Sequence, residues 1–195
     1  MTNTKSDLKL VVYLGSRLES LETLLSSDRV ERVVAVVGES SRCYHRRDYL
    51  KKKYDSLKDV IVQKRPKSLG LEQVEKIVTE NLPDLILSVG FPYILKAAFV
   101  EEYKNRIFNI HPHVLPERPG WNPVKKSYDK GEMLYGGTLH QITEDLDRGD
   151  KVIETRIHSS FGDLEELYQV IFSRVEPWLL STALRCKLIP QDCEK

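Results

Sequence analysis

Several features that would place this chain in a specialised class are missing. Lys and Arg number 30 against 29 Asp and Glu, a formal charge of +1, so no bulk field draws the chain of 195 residues to nucleic acid or an anionic membrane. Cysteine is scarce and odd in number. Cys43, Cys186 and Cys193 are too widely spaced for a paired-cysteine zinc ribbon, and a secreted disulfide framework does not suit them, which points to a reducing compartment. Long apolar runs are also missing: the opening MTNTKSDLKLVVYLG holds one short hydrophobic stretch, too brief for a signal-peptide core or a spanning helix of ~20 residues, and charges interrupt every later run. No repeat, low-complexity segment or Gly/Ser linker marks a boundary. What is there, 41% hydrophobic, 30% charged and 8% aromatic, suits an ordered soluble domain able to bury a core without metal or disulfides. The expectation is a single cytoplasmic domain over residues 1–195.

Apolar runs alternate with amphipathic stretches. Lys9–Leu14 reads as a strand ending at Gly15, followed by Leu18, Leu21, Leu24 and Leu25 at helical spacing. Arg32–Val37 repeats the pattern before a basic segment, Arg42–Lys58, in which Tyr44, Tyr49, Leu50 and Tyr54 form a helical stripe. Val60–Val62 and Asp84–Val89 read as further strands around a helix over Leu69–Asn81. Near-continuous apolar strands joined by helices imply an α/β fold: a Rossmann-like, mostly parallel sheet flanked by helices, whose ligands gather at the carboxyl ends of the strands. Arg106–Ile110 is a fifth strand, Leu134–Ile142 and Lys151–His158 form an antiparallel hairpin across the acidic turn Glu144–Asp150, and Asp163–Leu184 is a closing helix.

The densest chemistry lies at Phe108–Pro116. Period-2 geometry aims Asn109 and His111 the same way, and Pro112, lacking an N–H, ends the strand so that both sit at the ligand-binding edge. Downstream, Gly136–His140 runs into the loop Gln141–Asp150. The combined pattern, Asn-x-His-Pro-x-x-Leu-Pro, then Gly-x-Thr-x-His, then Asp-x-Gly, places Asp147 38 positions after Asn109. It resembles the formyltransferases that use 10-formyltetrahydrofolate, and that resemblance implies a catalytic trio of Asn109, His111 and Asp147. Formyl transfer to an amine develops charge on a tetrahedral oxygen. An amide and a protonated imidazole would stabilise that oxygen, while a carboxylate would favour the imidazolium and help remove the amine proton. His140 shares a face with Thr138 and stands outside this set, as either a support for the aspartate loop or a core histidine. A zinc site of His111, His113, Asp147 and Asp150 is the rival reading, and the expectation is no metal.

The same resemblance implies that the pterin end of the folate co-substrate lies between Phe91, Pro92, Tyr93, Ile94 and Leu95 on one side and Thr143, Glu144 and Asp145 on the other. Gly120-Trp121-Asn122-Pro123 is similar to a segment of nucleotide-sugar N-formyltransferases, with Trp121 and Pro123 against the sugar. A nucleotide-linked amino sugar is therefore the expected acceptor, although only ten residues follow Arg185, fewer than such enzymes carry. The alternative is an enzyme like glycinamide ribonucleotide formyltransferase, in which Glu176 matches a ribose-binding glutamate. Its phosphate loop resembles Gly-x-Gly-Ser-Asn-Leu, where this chain has Gly15-Ser16-Arg17-Leu18, one glycine short. That same single glycine disfavours a nicotinamide dinucleotide, and the RNA-binding domain of methionyl-tRNA formyltransferases has no room. A third possibility is a folate- or nucleotide-binding module without turnover. The basic run Arg42, Arg46, Arg47, Lys51, Lys52 and Lys53 is a solvated helix face or a partner for a diphosphate. No motif bears on whether the chain forms a homodimer.

Overall fold

Each apolar run expected as a strand is one. They comprise β1 (Leu8–Gly15), β2 (Val30–Val37), β3 (Asp59–Lys64), β4 (Leu85–Val89), β5 (Ile107–His111), β6 (Leu134–Gln141) and β7 (Lys151–His158) in one sheet of order β3-β2-β1-β4-β5-β6-β7. Pairing is parallel from β3 to β5 and antiparallel at β5–β6 and β6–β7. The computed structural model describes residues 8–38, 41–54, 59–64 and 70–189, so Lys58, Leu69 and Cys193 lie outside the described residues.

The central strands are buried on both faces because alternate side chains feed two cores. In β1, Val11 and Tyr13 join one core with Leu18, Leu21, Leu24 and Leu25 of α1 (Leu18–Leu25), whereas Leu10, Val12 and Leu14 join the other. That second core takes Val74 and Val78 from the helix Gly70–Asn81 and Phe99 from the helix Ala97–Glu102. The chain order places β2 and β3 on one side of β1 and β4 and β5 on the other. A crevice therefore opens between the carboxyl ends of β1 and β4, where the connections diverge. Gly15 sits at its floor; a Cβ there would lie 2.2 Å from the Val89 carbonyl oxygen.

Two stretches differ from the sequence reading. The basic segment is two helices, Arg42–His45 and Arg47–Tyr54, broken at Arg46. Cys43, Leu50 and Tyr54 turn into the core, while Tyr49 stays exposed beneath the cations of Arg46 and Lys53. The closing helix runs from Leu164 to Arg185 but widens into a π-helical turn over Ile171–Val175. Pro177, just beyond, has no N–H to donate back into that turn, and wide turns of this kind absorb the lost bond. No helix among the described residues is long and apolar enough to cross a membrane.

Candidate active site

Asn109 and His111 are on β5, and register puts His140 of β6 directly opposite Asn109 and Thr138 opposite His111. Asp147 comes from the β6–β7 loop. Its own backbone is left-handed, with φ 55°, and Gly149 packs so tightly that a Cβ would lie 1.9 Å from the Gln141 carbonyl oxygen. This turn brings the carboxylate back over the sheet edge, so three elements deliver the expected trio to one place.

The hydrogen bonds assign the imidazole tautomers. His111 Nε2 lies 2.6 Å from the Arg118 carbonyl oxygen, which can only accept, so Nε2 carries a proton and donates. Its Nδ1 then faces Asp147 Oδ2 at 3.4 Å. His140 donates Nδ1–H to the Gln141 carbonyl oxygen at 2.9 Å, leaving Nε2 to accept from Asn109 Nδ2 at 3.2 Å. That contact orients the Asn109 amide, whose second N–H has no partner among the described residues. His140, placed outside the trio by sequence reasoning, is thus packed between two of its members, with Asp147 Oδ1 3.6 Å away.

Burial lowers the pKa of His111 below its ordinary 6.5, against the upward pull of Asp147 and of the Arg118 carbonyl. His140 is lowered for the same reason, opposed by Asp147 and the Gln141 carbonyl. Sequence reasoning expected an imidazolium beside the oxyanion. In the structure desolvation outweighs the single neighbouring carboxylate, and both ring nitrogens of His111 already face protein groups.

The loop after β5 holds this arrangement. Its segment Arg118–Gly120 accepts from His111 through the Arg118 carbonyl and donates to Asp147 Oδ2 through the Gly120 N–H at 2.8 Å. The Arg118 guanidinium anchors the segment on Ser127 Oγ at 3.2 Å and on both oxygens of Glu132. Sequence reasoning did not single out Arg118, and no local pattern marks it. His113 points elsewhere, its Nε2 meeting Ser127 Oγ at 3.0 Å, so it shares no centre with His111. Among the described residues no group of three or more His, Cys, Asp or Glu is arranged to hold a metal.

A cavity of about 440 Å³ opens over the trio. All five residues Phe91–Leu95 line it, as do Thr143 and Glu144. Asp145 does not, and its carbonyl instead accepts from Thr143 Oγ1. Phe91 and Tyr93 meet edge to face at 5.4 Å, and Ile142 adds an apolar wall. This volume and mixture suit a flat heterocycle that needs a dry slot and a few polar edges. Trp121, 54% exposed, lies on the rim, and the buried Pro123 lines the cavity beneath it. Glu176 is fully buried and does not line the cavity. Arg17 lies between, its Nε 3.7 Å from Glu176 Oε2 and its guanidinium stacked on Phe172.

Comparison with known proteins fits this geometry. The profile of the family described as formyl transferase matches residues 8–184. Phosphoribosylglycinamide formyltransferase of Escherichia coli (strain K12) is 34% identical over 84 residues, 43% of this chain and 40% of that protein. Formyltetrahydrofolate deformylase of Bacillus subtilis (strain 168) is 34% identical over 120 residues, 60% of this chain and 40% of that protein. The chain thus spans well under two thirds of the length of these curated relatives. The crystal structure of phosphoribosylglycinamide formyltransferase from Anaplasma phagocytophilum superposes with a TM-score of 0.73 at 26% identity, covering 93% of this chain and 86% of that one. None of the three is named for a nucleotide sugar, so the amino-sugar expectation draws no support from them.

Proposed function

The chain belongs to the formyl transferase family, and from that premise we propose that it moves the formyl group of 10-formyltetrahydrofolate to the amine of a phosphorylated acceptor of the glycinamide ribonucleotide type. The observation that carries this reading is the convergence of Asn109, His111 and Asp147 on the floor of one cavity. The second N–H of the Asn109 amide, held by His140, is the donor for the oxygen of the tetrahedral intermediate. The neutral His111 presents the lone pair of Nδ1 beside Asp147 Oδ2, and between them these atoms accept the proton of the attacking amine. The new C–N bond forms as that proton leaves; the bond from the formyl carbon to the folate nitrogen then breaks, and the held proton passes to that nitrogen. The Arg118 carbonyl stabilises the transient imidazolium at Nε2 throughout.

Phe91–Leu95 and Thr143–Glu144 are the folate side of the cavity in this reading. Trp121 supports a second acceptor, a nucleotide-linked amino sugar, because a large exposed ring on the rim suits the face of a sugar. The test is tetrahydrofolate formation from 10-formyltetrahydrofolate with glycinamide ribonucleotide and, separately, with nucleotide-linked amino sugars. Product above that of an Asn109→Ala control supports formyl transfer, and the faster acceptor decides between the two. Folate product no greater than the control with every amine rejects the reading.

A further inference from the structure

The sheet ends at β7, and among the described residues no strand lies beyond it. With 8 residues, β7 offers about 26 Å of extended chain. An uncovered edge of that length presents a row of main-chain donors and acceptors, a template for another strand. The register on β6 decides which groups those are. Ser159 donates its N–H to the Met133 carbonyl at 2.9 Å, one step beyond the Leu134–His158 pair. Bonded and non-bonded pairs alternate along an antiparallel ladder, so Ile157, Thr155 and Ile153 turn their main-chain groups to β6, while His158, Arg156 and Glu154 turn theirs to the open edge. The register is unbroken over this stretch and shifts only past the Leu139–Ile153 pair. Among the described residues these outward N–H groups have no main-chain partner.

The side chains alternate as well. Ile153 and Ile157 lean on the core, whereas Glu154 and Arg156 share the other face, bridged at 2.8 Å. Charges on an edge strand ordinarily keep other strands away. Here they are complementary to themselves. When Ile153-Glu154-Thr155-Arg156-Ile157 is laid antiparallel on a second copy with a two-fold axis at Thr155, Glu154 faces the partner's Arg156 and Ile153 faces the partner's Ile157. Glu154 and Arg156 are also residues whose main-chain groups point outward, so each facing pair can exchange two main-chain hydrogen bonds. An axis centred on Glu154 or on Arg156 would set like charges opposite each other, and an axis between residues would face outward groups with groups already bonded to β6. Main-chain and side-chain complementarity thus select one register. We propose that the β7 edge is the docking surface for a second copy of this chain, joining two seven-stranded sheets into one through antiparallel β7 strands. This docking is independent of what the cavity binds: Asp147 precedes β7, so the antiparallel arrangement sends the two cavities to opposite ends of the joined sheet.

The test is sedimentation velocity of the full chain over a series of concentrations from micromolar to submillimolar, at low and at high salt. The wild type is expected to show a reversible monomer–dimer equilibrium that weakens as salt rises. Glu154→Arg and Arg156→Glu each set like charges opposite each other on both sides of the axis, and each should weaken the dimer at least about tenfold. An equal mixture of the two variants restores opposite charges in every facing pair and should dimerise at least as well as the wild type, which also shows that both variants fold. Hydrogen exchange on the wild type locates the surface without any substitution: raising the concentration should protect the amides of Glu154 and Arg156, with little change at Thr155, whose amide already bonds β6. A wild type that stays monomeric throughout, a dimer that either single variant leaves undiminished, a mixture that remains monomeric, or a dimer without added protection at Glu154 and Arg156 overturns the proposal.

Discussion

Glu176 allows a sharp test of how this cavity is built. The side chain is fully buried, and among the described residues neither oxygen finds a hydrogen-bond partner and the one nearby cation is Arg17 at 3.7 Å. Burial, with a smaller push from Glu19 and against the pull of Arg17, raises its pKa from 4.5 to about 8. The folded chain therefore keeps a proton that the unfolded chain releases above pH 4.5. The stability linked to that proton is fully present below 4.5 and is lost as pH rises towards about 8. At about 1.4 kcal/mol per tenfold change in proton affinity, the loss between about pH 5 and about pH 9 approaches 4 kcal/mol, a large part of a typical domain's stability. Glu176→Gln keeps the shape and cannot ionise. Urea unfolding at the two pH values, compared at equal m, should show the variant near wild type at the acid end and more stable by a few kcal/mol at the alkaline end. Parallel pH dependences for the two proteins would mean that Glu176 ionises freely, and the picture of a carboxyl sealed behind Arg17 and Phe172 would be wrong.

Three further outcomes bear on the trio. The acid limb of kcat/KM should fall at a pH below 6.5, because activity needs His111 neutral and burial lowers its pKa; Asp147→Asn removes an upward pull and should move that limb lower still, and a limb above 6.5 in wild type would contradict this. Gly149→Ala forces the loop away from the Gln141 carbonyl and displaces Asp147, so kcat should drop by about tenfold to a hundredfold with little change in circular dichroism; full activity would show that the loop position does not matter. Arg118→Ala frees the segment that touches both His111 and Asp147 and should lower kcat about tenfold with the folate KM unchanged, partly restored in Arg118→Lys; an unaltered kcat would reduce its bonds to Ser127 and Glu132 to local packing.

The parts of this site that were legible in the sequence are those set by local rules. Asn109 and His111 share a face because strands alternate, and they stand at the sheet's edge because Pro112 cannot pair. Strand identity was equally plain, since β-branched runs between helical stripes permit few alternatives. What was not legible depends on register and on contacts between distant segments. Alternation puts His140 on the same face as Thr138, but only the antiparallel register at β5–β6 makes it the partner of Asn109 and so turns an ambiguous core histidine into the group that orients the amide. The break at Arg46 follows from burial of Cys43 and Leu50 on successive short helices, which a continuous stripe does not anticipate.

Arg17 shows the same division more fully. The sequence marks it as a departure, an arginine where a short polar residue and a second glycine would make a phosphate loop. On that evidence alone the loop counts against a glycinamide ribonucleotide acceptor. Its meaning comes from Phe172 and Glu176, more than 150 positions away, which the wide turn ahead of Pro177 brings against the crevice between β1 and β4. Pro177 and Arg17 are each unfavourable as local features, one inside a helix and the other at a turn that elsewhere favours glycine. Together they explain each other: the proline accompanies the wide turn that carries the stacking ring, and the ring and the carboxyl hold the cation at the crevice.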